Sequence, residues 1–224
     1  MAFQEASKDL AGLLRNRLPA SVLTLLEKAG GLTEAASFHV YLIGGAVRDL
    51  LLGLETVDLD LVVEGDGVTF ASVLAGRSGG TVKRHRQFGT ATVYLQDGVK
   101  FDVATARTEV YECPAALPKV KPGSLQEDLF RRDFTINALA VDLSPQSFGR
   151  LIDPFGGEKD LRDGVVRALH EKSYIDDPTR IVRAVRFEAR YGFKINEHDE
   201  KLIREAIELG LLMRLSEKRR WTEL

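Results

Sequence analysis

The sequence predicts an α/β fold of the α+β type: a mixed, partly antiparallel sheet followed by an all-helical region. Three observations carry that prediction. Apolar runs of strand length alternate with short helical patterns through residue 105. Two of those runs, 90–95 and 99–104, are joined by Gln96-Asp97-Gly98, and Asp-Gly between apolar runs is a strong hairpin signal. Past residue 170 the character changes to two stretches with helical spacing, 176–191 and 197–212.

The elements follow in order. Leu10, Leu13, Leu14, Leu18, Val22, Leu23, Leu25 and Leu26 fall on one stripe and predict a helix over 6–29, interrupted near Pro19 and ended by Gly30-Gly31. Strands are expected at 38–43, 57–64, 81–85, 89–96 and 99–105, and helices over 46–52 and 67–78. The segment 107–124 holds Pro114, Pro118, Pro122 and Gly123 and has no apolar period. It reads as a loop long enough to be functional or mobile. A short strand over 138–142 comes next. Ser216 is placed to N-cap a last helix, and the sequence reads as truncated inside it. The expected division is an N-terminal helical extension (1–37), a sheet domain (38–169) and a helical region (170–224).

Composition narrows the function. The chain has 224 residues, enough for one ordinary domain and a smaller piece. An apolar share of 44% supplies a real core, and a net charge of −2 excludes a general polycation. The basic clusters Lys83-Arg84-His85-Arg86 and Arg214, Lys218, Arg219, Arg220 read as solvated faces. The lone Cys113 excludes an internal disulfide and fits a reducing compartment; in a loop beside Pro114 it is not read as catalytic. No run reaches membrane-spanning length and no signal-peptide pattern opens the chain, so a cytoplasmic protein without a membrane partner is expected.

Four clusters carry chemistry. In the first, Gly44-Gly45 separates an apolar strand from a helix whose first turn holds Arg48, and a Gly-rich turn opening a helix offers amides to phosphates. Asp58 and Asp60 follow in the next strand and project from the same face, where paired carboxylates suit Mg²⁺. Asp102, between apolar Phe101 and Val103, is the best third oxygen ligand for a two-metal site, with an ion pair to Arg107 as the plainer reading. In the second, Arg132 is a fixed cation suited to phosphate or ribose, and Asp133 and Asn137 are suited to sugar hydroxyls. In the third, Asp153 organises the turn Pro154-Phe155-Gly156-Gly157 rather than performing chemistry. In the fourth, Pro178 opens a helix with Asp177 as its N-cap and Arg180 one turn on. Carboxylate and guanidinium together form an edge that matches an amine beside a ring acceptor, as adenine and cytosine present. Arg183 and Arg186 extend the positive side of that helix.

With these clusters in order, the chain from about Tyr41 onward resembles the bacterial and eukaryotic class of tRNA nucleotidyltransferases and the related bacterial poly(A) polymerases, within the DNA polymerase β-like nucleotidyltransferase superfamily. The resemblance implies a polymerase β-like head with a five-stranded mixed sheet and a helical neck. It implies that Asp58 and Asp60 bind Mg²⁺, that Gly44, Gly45 and Arg48 hold the triphosphate, and that Arg132 and Asp133 contact the ribose. Asp177 and Arg180 would then select ATP, and CTP as an alternative, with Arg183 and Arg186 assisting. Asp176 stands where the family usually has Glu, and many relatives carry Glu at the Asp102 position. The implied reaction is template-independent transfer of AMP, or also CMP, to the 3′ end of tRNA or another RNA, releasing pyrophosphate.

The segment 107–129 is full length, and its wording at 111–118 resembles A-adding and poly(A)-synthesising members; full CCA addition is the alternative. From other classes, a silent nucleotide- or RNA-binding module is disfavoured because both Asp58 and Asp60 are present. A dinucleotide-binding redox domain is disfavoured because the G-x-G-x-x-G spacing is absent.

Overall fold

Pro19 divides the predicted first helix. In the computed structural model, which describes residues 9–33, 38–55, 58–217 and 219, α1 (Ala11–Arg17) ends before Pro19, and Pro19 takes the N-cap of α2 (Ala20–Gly31). β1 (His39–Ile43) leads through Gly44 into α3 (Gly45–Leu52), then come β2 (Leu59–Glu64), α4 (Gly67–Ser78), β3 (Thr81–His85), β4 (Thr90–Tyr94) and β5 (Lys100–Thr105). The expected loop after residue 107 is instead a two-stranded ribbon: β6 (Arg107–Val110) pairs antiparallel with β7 (Lys119–Pro122). None of the residues in either strand is fully buried, so neither face leaves an apolar alternation to read. α5 (Leu125–Phe130) starts at a capping box of Ser124 and Glu127.

β8 (Ala140–Asp142), β9 (Leu151–Ile152) and α6 (Gly157–Asp163) follow. Asp153 does organise its turn: its carboxylate accepts from Gly157 N at 2.7 Å and Glu158 N at 2.9 Å. The rest is β10 (Val165–Val166), α7 (Ser173–Asp176), α8 (Thr179–Tyr191), β11 (Lys194–Ile195), α9 (Glu197–Glu208) and α10 (Leu211–Arg214). Three expectations are corrected. The helix at 176–191 starts at Thr179 because Asp177 is extended, at φ −133° and ψ 92°. The helix at 197–212 is broken at Gly210, whose φ is 67°. The helical region also contains a short parallel pair, β10 with β11. Ser216 Oγ accepts from Arg219 N at 3.4 Å, as an N-cap would. The ends of the predicted strand at 57 and of the first and last helices lie outside the described residues.

The sheet has seven strands in the order β3-β4-β5-β2-β1-β8-β9, not five, because β8 and β9 extend it past β1. β2 and β5 run parallel and the other neighbours antiparallel. Alternation decides what each face holds. Leu59, Leu61 and Val63 of β2, Phe101 and Val103 of β5, and Val40 and Leu42 of β1 point to a core shared with Leu14, Leu25, Leu26 and Phe70 of α1, α2 and α4. The N-terminal helices thus pack as part of the sheet domain. Val62, Ile43 and Ala140 point to the opposite face, where Leu125 and Leu129 of α5 cover them. Asp60, two residues before Val62, takes that second face. A third core joins Phe134, Ile136 and Leu161 to Tyr174, Ile181, Ala184 and Ala206, fastening the helical region beside the sheet.

Candidate active site

Two cavities meet between the second sheet face and α8. One, of about 470 Å³, is lined by Asp58 and Asp60 on the sheet side, Gly45 and Arg48 of α3, and Arg183, Arg186, Arg190 and Tyr191 of α8. The other, of about 430 Å³, runs from Asp60 and Arg48 past Arg132 and Asp133 to Asp177 and Arg180. Gly45, Arg48, Asp60 and Arg183 border both, so the two are one cleft.

At the carboxylate end, β2 and β5 place Asp60 and Asp102 directly side by side. Burial raises the Asp60 carboxyl above its usual range; Arg132 pulls it down, and Asp102 and Asp58 push it further up. Asp58 is exposed at the rim. Asp102 is also exposed and accepts from Thr92 Oγ1 at 2.6 Å. It makes no pair with Arg107, the plainer reading of that position, because Arg107 binds Glu109 at 2.9 Å; the Thr92 bond takes only one of its two oxygens. Among the described residues no three His, Cys, Asp or Glu side chains gather to hold a metal ion. The donors at Asp58 and Asp60 are all oxygen, and their like charge bears on a half-buried carboxyl. That chemistry fits a hard divalent cation.

At the α3 end, Gly44 has φ 67°, a backbone conformation that requires glycine, and a Cβ there would stand 2.9 Å from Arg132 Nη1 and displace that guanidinium. Arg48 is buried. Its Nη1 donates to Asn137 Oδ1 at 2.6 Å and its Nε to Asp49 Oδ1 at 2.9 Å. Its guanidinium carbon lies 5.2 Å from the ring centroids of both Phe187 and Tyr191, which hold it between charge and aromatic faces.

The middle of the cleft depends on α5. Asp128, fully buried, binds Arg131 at 2.8 Å and Arg132 at 3.0 Å. Arg132 Nε is buried with no hydrogen-bond partner among the described residues. Asp133, expected to touch ribose, is instead satisfied internally. Its oxygens accept from Phe134 N at 2.8 Å, Asn137 Nδ2 at 2.9 Å, and Arg183 Nε and Nη2 at 2.9 and 2.5 Å. Burial pushes its carboxyl up, but the Arg183 charge and these hydrogen bonds outweigh it and hold it below the usual range.

At the far end, Pro178 rather than the expected Asp177 takes the N-cap of α8, and Asp177, one residue before it, accepts from Thr179 N at 3.1 Å and Thr179 Oγ1 at 2.6 Å. Arg180 is buried and donates to Ser173 Oγ at 2.6 Å and to the Arg131 carbonyl at 2.7 Å. Both border the same cavity, but no direct side-chain bond joins them into one edge. The second basic cluster is not wholly a solvated face. Arg219 donates to Asp177 Oδ1 and to the Ala115 carbonyl, both at 2.8 Å, tying the ribbon tip to the neck.

Asp128, Arg190, Tyr191 and the ribbon residues Glu109 and Tyr111 were not singled out from the sequence. Asp128 was signalled by its spacing of three and four residues to Arg131 and Arg132, and Arg190 by its place one turn beyond Arg186. Glu109 and Tyr111 reach the cleft only because the ribbon folds over it, and no local pattern records that.

Residues 40–167 match the poly A polymerase head domain. The chain belongs to that family. An A-adding tRNA nucleotidyltransferase of Geobacter sulfurreducens is 48% identical over 217 residues, 97% of this chain and 25% of that protein. Another of Aquifex aeolicus is 51% identical over 175 residues, 78% of this chain and 21% of that protein. A solved CCA-adding enzyme in an apo form is 45% identical with a TM-score of 0.93, covering 98% of this chain and 52% of that one. The chain therefore spans about a quarter of these relatives and half of that structure. The head domain accounts for the sheet, α3 and the Arg132 segment; α8 and its arginines lie beyond the matched residues.

Proposed function

We propose that this chain carries the catalytic site of a template-independent RNA nucleotidyltransferase, which transfers AMP from ATP to the 3′ end of tRNA and releases pyrophosphate. The observation that carries the reading is the order of groups along one cleft. Paired aspartates come first, then cations on α3 and α8, then Arg132, then Asp177 and Arg180. That order follows a nucleoside triphosphate from metal-bound phosphates through ribose to base.

Asp58 and Asp60 would hold Mg²⁺ here, with Asp102 adding negative charge beside them. Bound Mg²⁺ supplies charge neutralisation at phosphoryl oxygens and a lowered pKa for a nearby hydroxyl. Gly45 offers a backbone amide at the start of α3, and Arg48, Arg183 and Arg186 add positive charge for the polyphosphate. Arg132 lines the sugar side as a fixed cation, while Asp133 and Asn137 position Arg183 and Arg48 rather than reach the sugar themselves. Asp177 and Arg180 border the space for the base and supply acceptor and donor to its edge. Catalysis then comes mainly from positioning and electrostatics. A cytoplasmic location accords with the lone exposed Cys113, and among the described residues no helix is long and apolar enough to cross a membrane.

A-addition is favoured by the names of the two relatives; CCA addition, with CTP as a further substrate, is the second reading, favoured by the similar solved enzyme. The test incubates the full-length protein with Mg²⁺, single nucleotides and tRNAs ending before, within or after the CC of the 3′ end. Incorporation of A alone onto tRNA ending in CC supports A-addition. Incorporation of C as well supports CCA addition, and repeated A on any RNA supports poly(A) synthesis. No incorporation at all contradicts the enzymatic reading.

A further inference from the structure

A third cavity, of about 620 Å³, lies across Arg131 and Arg180 from the cleft. That volume is in the range of ligand sites, ~300–1,000 Å³. Its walls are unlike those of the cleft. Phe130 ends α5 with 46% of its surface exposed and belongs to none of the three apolar cores, so burial does not explain an aromatic there. Its ring centroid is 5.4 Å from His170 and 5.7 Å from Phe155, giving a cluster of flat faces.

Burial and then the Arg180 charge hold the His170 ring below its usual pKa, so at neutral pH it is an uncharged aromatic face. Three acids line the cavity, and Asp176 is the one that faces His170, pulling its pKa weakly upward against burial and Arg180. Glu127 closes the capping box of α5, and Glu109 binds Arg107 and Arg131. The exposed Lys172 stands at the same mouth.

We propose that this cavity holds a base of the RNA 3′ end, upstream of the reacting hydroxyl, stacked on Phe130 and His170 with Lys172 facing its phosphate. The inference rests on the RNA-substrate reading above. Flat aromatic faces beside a cation accept any nucleobase, because every base has a π face. The position suits a strand rather than the incoming nucleotide. Arg131, Arg180, Glu109 and Tyr111 line both this cavity and the base end of the cleft, so a strand whose end reacts in the cleft passes along that shared wall.

The test uses the full-length protein with tRNA ending in CC, intact or carrying an abasic nucleotide at each of the last few upstream positions in turn. Phe130→Ala is expected to raise KM for tRNA about tenfold, as loss of one base stack does, with KM for ATP unchanged. Phe130→Trp keeps a stacking face and stays near wild type. At one position the abasic RNA costs wild type a similar factor and costs Phe130→Ala nothing further. An unchanged KM for tRNA in Phe130→Ala, or abasic and Phe130→Ala penalties that simply multiply at every position, would overturn the proposal. Failure of wild type to transfer AMP to intact tRNA would overturn the RNA reading itself and the proposal with it.

Discussion

Asp60 is where the fold sets charge against its own stability. It shares a sheet face with Val62 rather than with the apolar Leu59 and Leu61, and it lies in register with another carboxylate at Asp102. Its carboxyl is raised in the folded chain, so the stability it contributes is present below the ordinary carboxylate pKa and is lost as pH rises through the raised value. At neutral pH, Asp60→Asn is therefore expected to raise the melting temperature without metal and to abolish the stabilisation that wild type gains from added Mg²⁺. Thermal unfolding with and without Mg²⁺ reads both; a variant that melts lower and still responds to Mg²⁺ contradicts this account. Asp133 works in the opposite sense. Its carboxyl is held low, so its stabilisation is present above the ordinary carboxylate pKa and is lost as pH falls through the lower value. Removing its partner with Arg183→Met leaves a buried charge without its ion pair and should cost about 3–5 kcal/mol in denaturant unfolding, with Asp133→Asn in the same chain restoring part of it.

Among the elements, α5 and α8 organise the cleft more than the strands do. Asp128 on α5 holds Arg131 and Arg132 together, and Arg131 in turn presents the carbonyl that Arg180 binds. Asp128→Ala is expected to raise KM for ATP about tenfold or more, because it leaves two guanidinium groups without their buried acceptor. A change confined to folding stability, with KM unmoved, contradicts that role. How well such elements could be read from sequence depended on where their partners lie. Gly44, the Asp58/Asp60 alternation and the Asp-Gly hairpin are local and were legible. The ribbon has no buried face to impose an apolar alternation, and Asp177 and Arg180 could be placed on one cavity but not oriented. Their partners Arg219, Ser173 and Arg131 come from three other segments. Asp102 was legible as a neighbour of Asp60, yet its bond to Thr92 depends on the β4–β5 pairing.

For the molecule as a whole, the sheet domain and the helical region meet through the active cleft itself. Asp133 binds Arg183, Arg131 binds Arg180, and Phe134 packs edge-on against Phe187, with ring centroids 5.5 Å apart. Nucleotide bound between Arg132 and Arg183 would touch both parts, so ATP with Mg²⁺ is expected to raise a single cooperative melting transition rather than one of two. Calorimetry with separate transitions, only one moving, contradicts this. We propose that Asp58 and Asp60 serve AMP transfer to RNA. It is tested most directly by single-turnover transfer of AMP from ATP to tRNA ending in CC, with the full-length wild type and Asp60→Asn compared at saturating Mg²⁺. One added A by wild type is expected, with a loss of about a thousandfold or more in the variant, as when several kcal/mol of charge stabilisation are removed. Equal rates for the two proteins would contradict it.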